Sequence, residues 1–175
     1  MRLLPACCLL LLLFACGCET DIVTGDTPVE VEDSVVEPAG ENSAFSTLET
    51  STLAAVNEVR AAGCLCGSTR MPPVPVLQLD AKLSAAARAH SSDQARNGKM
   101  THQGSDGSNV GDRVTRAGFD WRSVGENVAW NYRNVDHVME GWLASEGHCK
   151  NIMSANFTSM GMGETALYWT QVFAR

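Results

Sequence analysis

The chain has 175 residues, 45 % hydrophobic and 19 % charged, a composition that suits one globular domain and excludes wholesale disorder. Its net charge of −7 belongs to residues 19 to 45, which hold eight acids and no Lys or Arg, leaving 12 acids against 12 bases from residue 46 onward. Without clustered excess cations the domain lacks the footprint of a nucleic-acid binder, and no run after residue 18 approaches the roughly 18 apolar residues of a membrane span.

Residues 1–18, MRLLPACCLLLLLFACGC, read as a secretory signal: Arg2 gives the positive end and the run from Leu9 to Ala15 the apolar centre. Leu13-Phe14-Ala15-Cys16 resembles a bacterial lipobox, in which Cys16 becomes the acylated first residue of the mature chain, with Cys18 as the weaker site. A plain cleaved signal without lipid is the alternative. Residues 19–45, acidic, with Pro28 and Pro38, cannot bury enough apolar surface to offset chain entropy and read as a disordered tether. The domain is expected over 46–175.

Ser46-Thr47-Leu48-Glu49 is a capping box, and Leu48, Thr52, Val56 and Val59 continue at helical spacing to a stop at Gly63. Three prolines in MPPVPVLQL, 71–79, demand extended backbone. Asp80 caps a second helix with Leu83, Ala86, Ala87, His90 and Gln94 on one side, ended by Asn97-Gly98. A polar loop from Lys99 to Ser108 precedes a short helix over Val110 to Ala117. A further helix runs from Val135 to Ala144 with Asn134 as cap. Two strands, 157–163 and 168–174, joined through Glu164-Thr165, close the chain. Helices first and strands last, without βα alternation, argue for an α+β fold with an antiparallel sheet covered by helices.

Three cysteines belong to the domain. Cys64 and Cys66 are too close for an easy mutual bridge, so Cys149 pairs with one of them; we expect Cys66–Cys149, which closes a loop of roughly 80 residues and stabilises by about 4 kcal/mol in the chain-entropy picture.

Several segments form an ordered set: Arg60-Ala61-Ala62-Gly63, Cys66-Gly67, Ala87-Arg88-Ala89-His90-Ser91, His102-Gln103-Gly104-Ser105-Asp106-Gly107-Ser108, Gly125-Glu126-Asn127-Val128-Ala129, Gly141-Trp142 through His148-Cys149-Lys150-Asn151-Ile152-Met153, and Tyr168-Trp169-Thr170-Gln171-Val172-Phe173. In this order they resemble the bacterial branch of the CAP superfamily (cysteine-rich secretory proteins, antigen 5, pathogenesis-related 1; SCP domains) over roughly residues 48 to 174. The resemblance implies a three-layer α-β-α sandwich, usually secreted, with a surface cleft. In eukaryotic members two His and two Glu of that cleft hold a divalent metal. His102 and Glu126 match the first His and the first Glu; the second Glu falls on Ser145 and the second His on Tyr168.

His148 offers a replacement ligand from another direction. If His102, Glu126 and His148 converge, two neutral imidazoles, a carboxylate and an open position suit Zn²⁺ with a bound water, the basis of a metal-dependent hydrolase. Each residue also has a plainer reading: His102 in a polar loop, Glu126 as a structural acceptor, His148 packing beside Cys149. His90, on the apolar side of its helix, reads as a core histidine. The leading expectation is therefore a lipid-anchored or secreted envelope protein whose cleft binds a lipid, a sterol or a cell-wall fragment. The metal-dependent hydrolase comes second, and a structural envelope protein third.

Overall fold

The computed structural model of the chain describes residues 44–175. The expected signal segment, Cys16, Cys18 and most of the tether lie outside the described residues.

Helix α1, Thr47–Ala62, starts where the capping box places it: the Ser46 hydroxyl accepts from the Glu49 N–H, and the Glu49 carboxylate accepts from the Ser46 N–H. The cysteine-bearing strand β1, Cys64–Cys66, pairs antiparallel with β2, Thr69–Met71. After the extended proline segment and β3, Gln78–Leu79, helix α2 runs Ala81–Asn97 between its cap Asp80 and Gly98, which takes the left-handed conformation. Helix α3, Val110–Arg116, follows, then β4, Val124–Trp130, α4, Val135–Ala144, α5, Glu146–Ile152, β5, Ser159–Thr165, and β6, Tyr168–Ala174.

The main sheet has the order β3-β5-β6-β4. Its β5–β6 and β6–β4 ladders are antiparallel, as expected, while the two-residue β3 joins β5 in parallel at Gln78↔Ser159. Alternation along β6 assigns the two faces. Trp169 and Phe173 join a core with residues of α1, α4 and α5, whereas Val172 and Ala174 join a second core with Leu83, Ala86, Ala87 and Val114 from α2 and α3. This is an α-β-α sandwich of the α+β class.

On the α2 side β5 presents Gly161 and Gly163. A Cβ at Gly161 would overlap the backbone of Leu83 and Ser84, and one at Gly163 the backbone of Ala87 and Arg88. Two residues of strand, about 6.6 Å, nearly match one helical turn of about 5.4 Å, so successive turns of α2 settle into successive glycines.

Strand β4 lies at the sheet edge, and its outward carbonyls are capped by side chains: Asn151 Nδ2 donates to the Glu126 carbonyl (3.2 Å) and Trp142 Nε1 to that of Val128 (3.3 Å). That closes an edge otherwise open to another strand. Arg60, with no solvent exposure, performs a similar task at the other end of the core. Its Nε donates to the Pro75 carbonyl (2.8 Å), and Nη1 to those of Ile152 (2.7 Å) and Ser154 (2.9 Å).

A disulfide joins Cys66 on β1 to Cys149 on α5, with their Cα atoms 5.4 Å apart and a sequence separation of 83. Among the described residues Cys64 is the free thiol; it is half-buried, and burial pushes its pKa up.

Candidate functional site

The pleat of β4 divides its polar residues between the two faces. Asn127 turns toward α5, where it bonds Gln171 and Asn151, and Glu126 turns toward α2 and α3. Glu126 is 6 % exposed and meets Arg113, also 6 % exposed, with Nη2 2.7 Å from Oε2. The Asn109–Asp112 capping box starts α3, so Arg113 occupies its first turns, reaching inward to the Ser108 carbonyl (2.9 Å) and the His102 carbonyl (3.1 Å). The buried pair thus fastens the polar loop 99–108 to the sheet.

His102 Nδ1 lies 2.9 Å from the other Glu126 oxygen. A carboxylate only accepts, so Nδ1 carries the proton and Nε2 faces outward on a ring whose side chain is 61 % exposed. The hydrogen bond to Glu126 raises the His102 pKa above its ordinary value. His148 has its pKa lowered by burial and by the charge on His102. His90 is buried; its Nε2 donates to the Thr101 carbonyl (2.7 Å), burial lowers its pKa, and Nδ1 has no partner. His90 is thus the core histidine the sequence suggests, with one of its two ring nitrogens satisfied.

These shifts fix a pH dependence. A proton held more tightly in the folded state stabilises fully below the unfolded pKa of about 6.5, and that stabilisation fades as pH rises through the raised folded value. The stability lost in His102→Ala is therefore expected to be largest below about pH 6 and to shrink on the alkaline side. Urea unfolding of both proteins across that range reads it; a difference that grows with pH contradicts the Glu126 hydrogen bond.

Beside this centre, between α2, α3 and the loop, lies a cavity of about 420 Å³. Ala85, Ala86 and Ala89 wall it from α2 and Ala117 from the end of α3; Arg96 and Arg116 stand at its edge, and Arg113 reaches it from within. Arg96 lies 3.6 Å from Asp93, a half-buried carboxylate that also accepts from the Ser105 N–H and hydroxyl, and Arg116 lies 3.0 Å from Asp106 in an exposed pair. An exposed pair such as Arg116–Asp106 is weak in water and is readily exchanged for a ligand anion.

The residues expected to hold a metal take different places. His102 and Glu126 are together. His148, on α5, is close enough for electrostatic influence, and the N–H of Asn127 Nδ2 bonds its backbone carbonyl (3.2 Å). Ser145 sits at the α4–α5 junction and makes no side-chain cap. Tyr168 pairs with Trp130, rings 6.0 Å apart, four positions along the ladder from Glu126 and so about 13 Å away. Both carboxylate oxygens of Glu126 are engaged, one by a buried guanidinium. Among the described residues the group of three whose ligand atoms lie within 4.8 Å of one another is Cys64, Cys66 and Cys149, not His102, Glu126 and His148. In this arrangement Glu126 orients His102 and is not free to coordinate, so the three do not make a zinc ligand set and no hydrolytic step is derived through one.

Arg113 is the member that the sequence reading did not single out. The sequence places a short helix over Val110 to Ala117, but nothing in a solitary Arg on a short helix tells that it turns inward to a strand acid.

The family model for the cysteine-rich secretory protein family (CAP) matches residues 53–165. Two Bacillus subtilis proteins are similar over 99 residues. The uncharacterised protein YkwD is 37 % identical, over 55 % of this chain and 38 % of its own length. The uncharacterised membrane protein YlbC is 33 % identical, over 57 % and 29 % respectively. The chain thus spans well under half the length of these relatives. An extracellular SCP-domain protein from Bacillus anthracis superposes with a TM-score of 0.61 at 28 % identity, covering 73 % of this chain and 41 % of that one. An outer surface protein of Borrelia burgdorferi gives 0.60 at 16 % identity, covering 72 % and 90 %, a likeness of fold alone.

Proposed function

The chain belongs to the cysteine-rich secretory protein (CAP) family, and from that membership we propose that it is an exported binding protein which takes an acidic amphiphile, of fatty-acid type, into the cavity between α2 and α3. Among the lipid, sterol and cell-wall ligands that the sequence suggested, this class suits the walls best. Alanines offer a smooth apolar surface, arginines at the edge suit a carboxylate or phosphate head, and a volume of about 420 Å³ lies within the usual range for small-molecule sites. The cavity, with its alanine wall and with three arginines set beside the carboxylates of Asp93, Asp106 and Glu126, is the observation that carries the reading. Arg113 belongs to both the cavity and the Glu126–His102 centre, so the buried ion pair holds one wall in place.

Titration with a fluorescent polyene fatty acid tests it. One site is expected, weakened at least tenfold by Ala89→Trp, which fills the cavity from an exposed position, and by Arg116→Glu, which reverses a charge at its edge. Binding indifferent to both substitutions removes the cavity from the account, and no binding at all favours a structural envelope role.

The second part of the proposal is attachment to the bacterial envelope through an acylated Cys16, with residues 19–45 as spacer. Its support is the lipobox-like Leu13-Phe14-Ala15-Cys16, together with the extracellular character of the Bacillus anthracis neighbour. Acyl chains contribute roughly 0.8 kcal/mol of membrane affinity per buried CH₂. Cys16→Ser is expected to abolish metabolic palmitate labelling and to shift the protein out of the membrane fraction; unchanged labelling refutes Cys16 as the anchor.

A further inference from the structure

The binding reading leaves the cysteine cluster unused. Strand β1 reads Cys64-Leu65-Cys66, and its period of two sends both thiol-bearing side chains to one face while Leu65, 61 % exposed, goes to the other. Cys149 on α5 meets that face. Cys64 Sγ lies 3.7 Å from Cys66 Sγ and 3.6 Å from Cys149 Sγ, so the free thiol stands at the apex of a near-isosceles triangle over the disulfide.

Two kinds of chemistry follow from three such sulfurs, and the near-equal distances separate them. Thiol–disulfide exchange needs the attacking sulfur in line with the bond it breaks, which makes its two distances differ by about one S–S bond, roughly 2 Å. Cys64 stands alongside, not in line. Three thiolates on one tetrahedral zinc, with Zn–S of about 2.3 Å, are separated from one another by about 3.8 Å. Two of the three edges already have nearly that length.

We propose that Cys64, Cys66 and Cys149 form a redox-gated zinc site, closed as a disulfide when oxidised and open to one Zn²⁺ when reduced. An external dithiol reduces the Cys66–Cys149 bond, yielding two protein thiols and the cyclic disulfide of the reductant. Zn²⁺ then replaces the three thiol protons, giving a Zn(Cys)₃ centre of net charge −1 and three H⁺. The fourth position falls on the side of half-buried Cys64, where water or a soft exogenous ligand completes the tetrahedron. The metal renews the link between β1 and α5 that reduction removes, so the 83-residue loop stays closed in both states.

The test is an anaerobic Co²⁺ titration after phosphine reduction of the full chain carrying Cys7→Ser, Cys8→Ser, Cys16→Ser and Cys18→Ser, the background taken as wild type for the variants that follow, read by tetrahedral thiolate absorption, with Zn²⁺ added to displace the cobalt. Wild type is expected to take one equivalent. Cys64→Ser, which leaves the disulfide partners intact, is expected to lower the affinity at least tenfold and weaken the sulfur-to-cobalt charge-transfer band. His102→Ala is expected to bind as wild type does, and oxidised wild type to show no thiolate band. If reduction unfolds the domain, Zn²⁺ is expected to restore its far-ultraviolet dichroism in wild type and not in Cys64→Ser. Affinity indifferent to Cys64→Ser, failure to bind one equivalent, or failure of that rescue overturns the proposal and leaves the triangle as ordinary sulfur packing. None of these outcomes touches the fatty-acid titration, so the two readings fail separately.

Discussion

Replacing Arg60 by Met is expected to lower the unfolding free energy by about 3–5 kcal/mol, a large fraction of the roughly 5–15 kcal/mol that holds a domain of this size. Arg60 is buried without a carboxylate. Its charge is solvated by backbone carbonyls of Pro75, of Ile152 at the C-terminal end of α5 and of Ser154, with that of Phe157 at 3.5 Å, groups at a helix end or in irregular segments. The planar fork of five donors fits this arrangement, and burial lowers the Arg60 pKa as expected of a desolvated cation. Met matches the stem in length but leaves those carbonyls without donors. Lys restores the charge but not the fork, and is expected to fall between Met and wild type. Urea unfolding midpoints read the series; a cost below about 1 kcal/mol for Arg60→Met means that the two segments find water when the guanidinium is gone, and contradicts its role as their fastener.

Cys149→Ala is expected to cost about 4–5 kcal/mol, because it frees an 83-residue loop in the unfolded chain. Cys66→Ala is expected to cost clearly less. Cys64 Sγ already lies 3.6 Å from Cys149 Sγ, and a small shift of β1 closes a replacement bridge. The asymmetry between two partners of one disulfide is the informative quantity. Denaturant midpoints give it, and mass spectrometry of unreduced peptides from Cys66→Ala identifies the Cys64–Cys149 link. Equal losses in the two variants mean that Cys64 cannot substitute.

Capping chemistry made three of the five helices legible almost to the residue. Ser46 with Glu49 starts α1, Asp80 and Gly98 bound α2, and Asn134 starts α4, each through local bonds that need no knowledge of the fold. The strands were harder. The closing hairpin was expected at 157–163, with its turn at Glu164-Thr165, but β5 runs Ser159–Thr165 and the turn falls on Ala166 and Leu167, at φ 50° and 66°. Those residues rarely adopt left-handed backbone. One local and one tertiary bond hold them: Glu164 Oε1 accepts from the Leu167 N–H within the turn, and the Leu167 carbonyl accepts from the Asn131 N–H. Strand β4 was not foreseen because both of its faces are covered, so Glu126 and Asn127 break the alternation that marks a half-exposed strand. Helix α5 begins at the Ser145 that ends α4 and has no cap bond to announce it. At the site, sequence pattern brought out His102 and Glu126 but not Arg113, since a buried guanidinium is defined by the strand acid it meets, and that strand was itself unseen.

The most direct test of the account is amide chemical-shift mapping of the isotope-labelled protein during titration with a saturated fatty acid below its micelle concentration. Ligand in the cavity predicts the largest shifts at residues 85–89, 104–108 and 113–117, with smaller ones at Glu126 and His102 carried through Arg113. Shifts centred on α1 and α4, across the sheet, or no saturable shifts at all, contradict it.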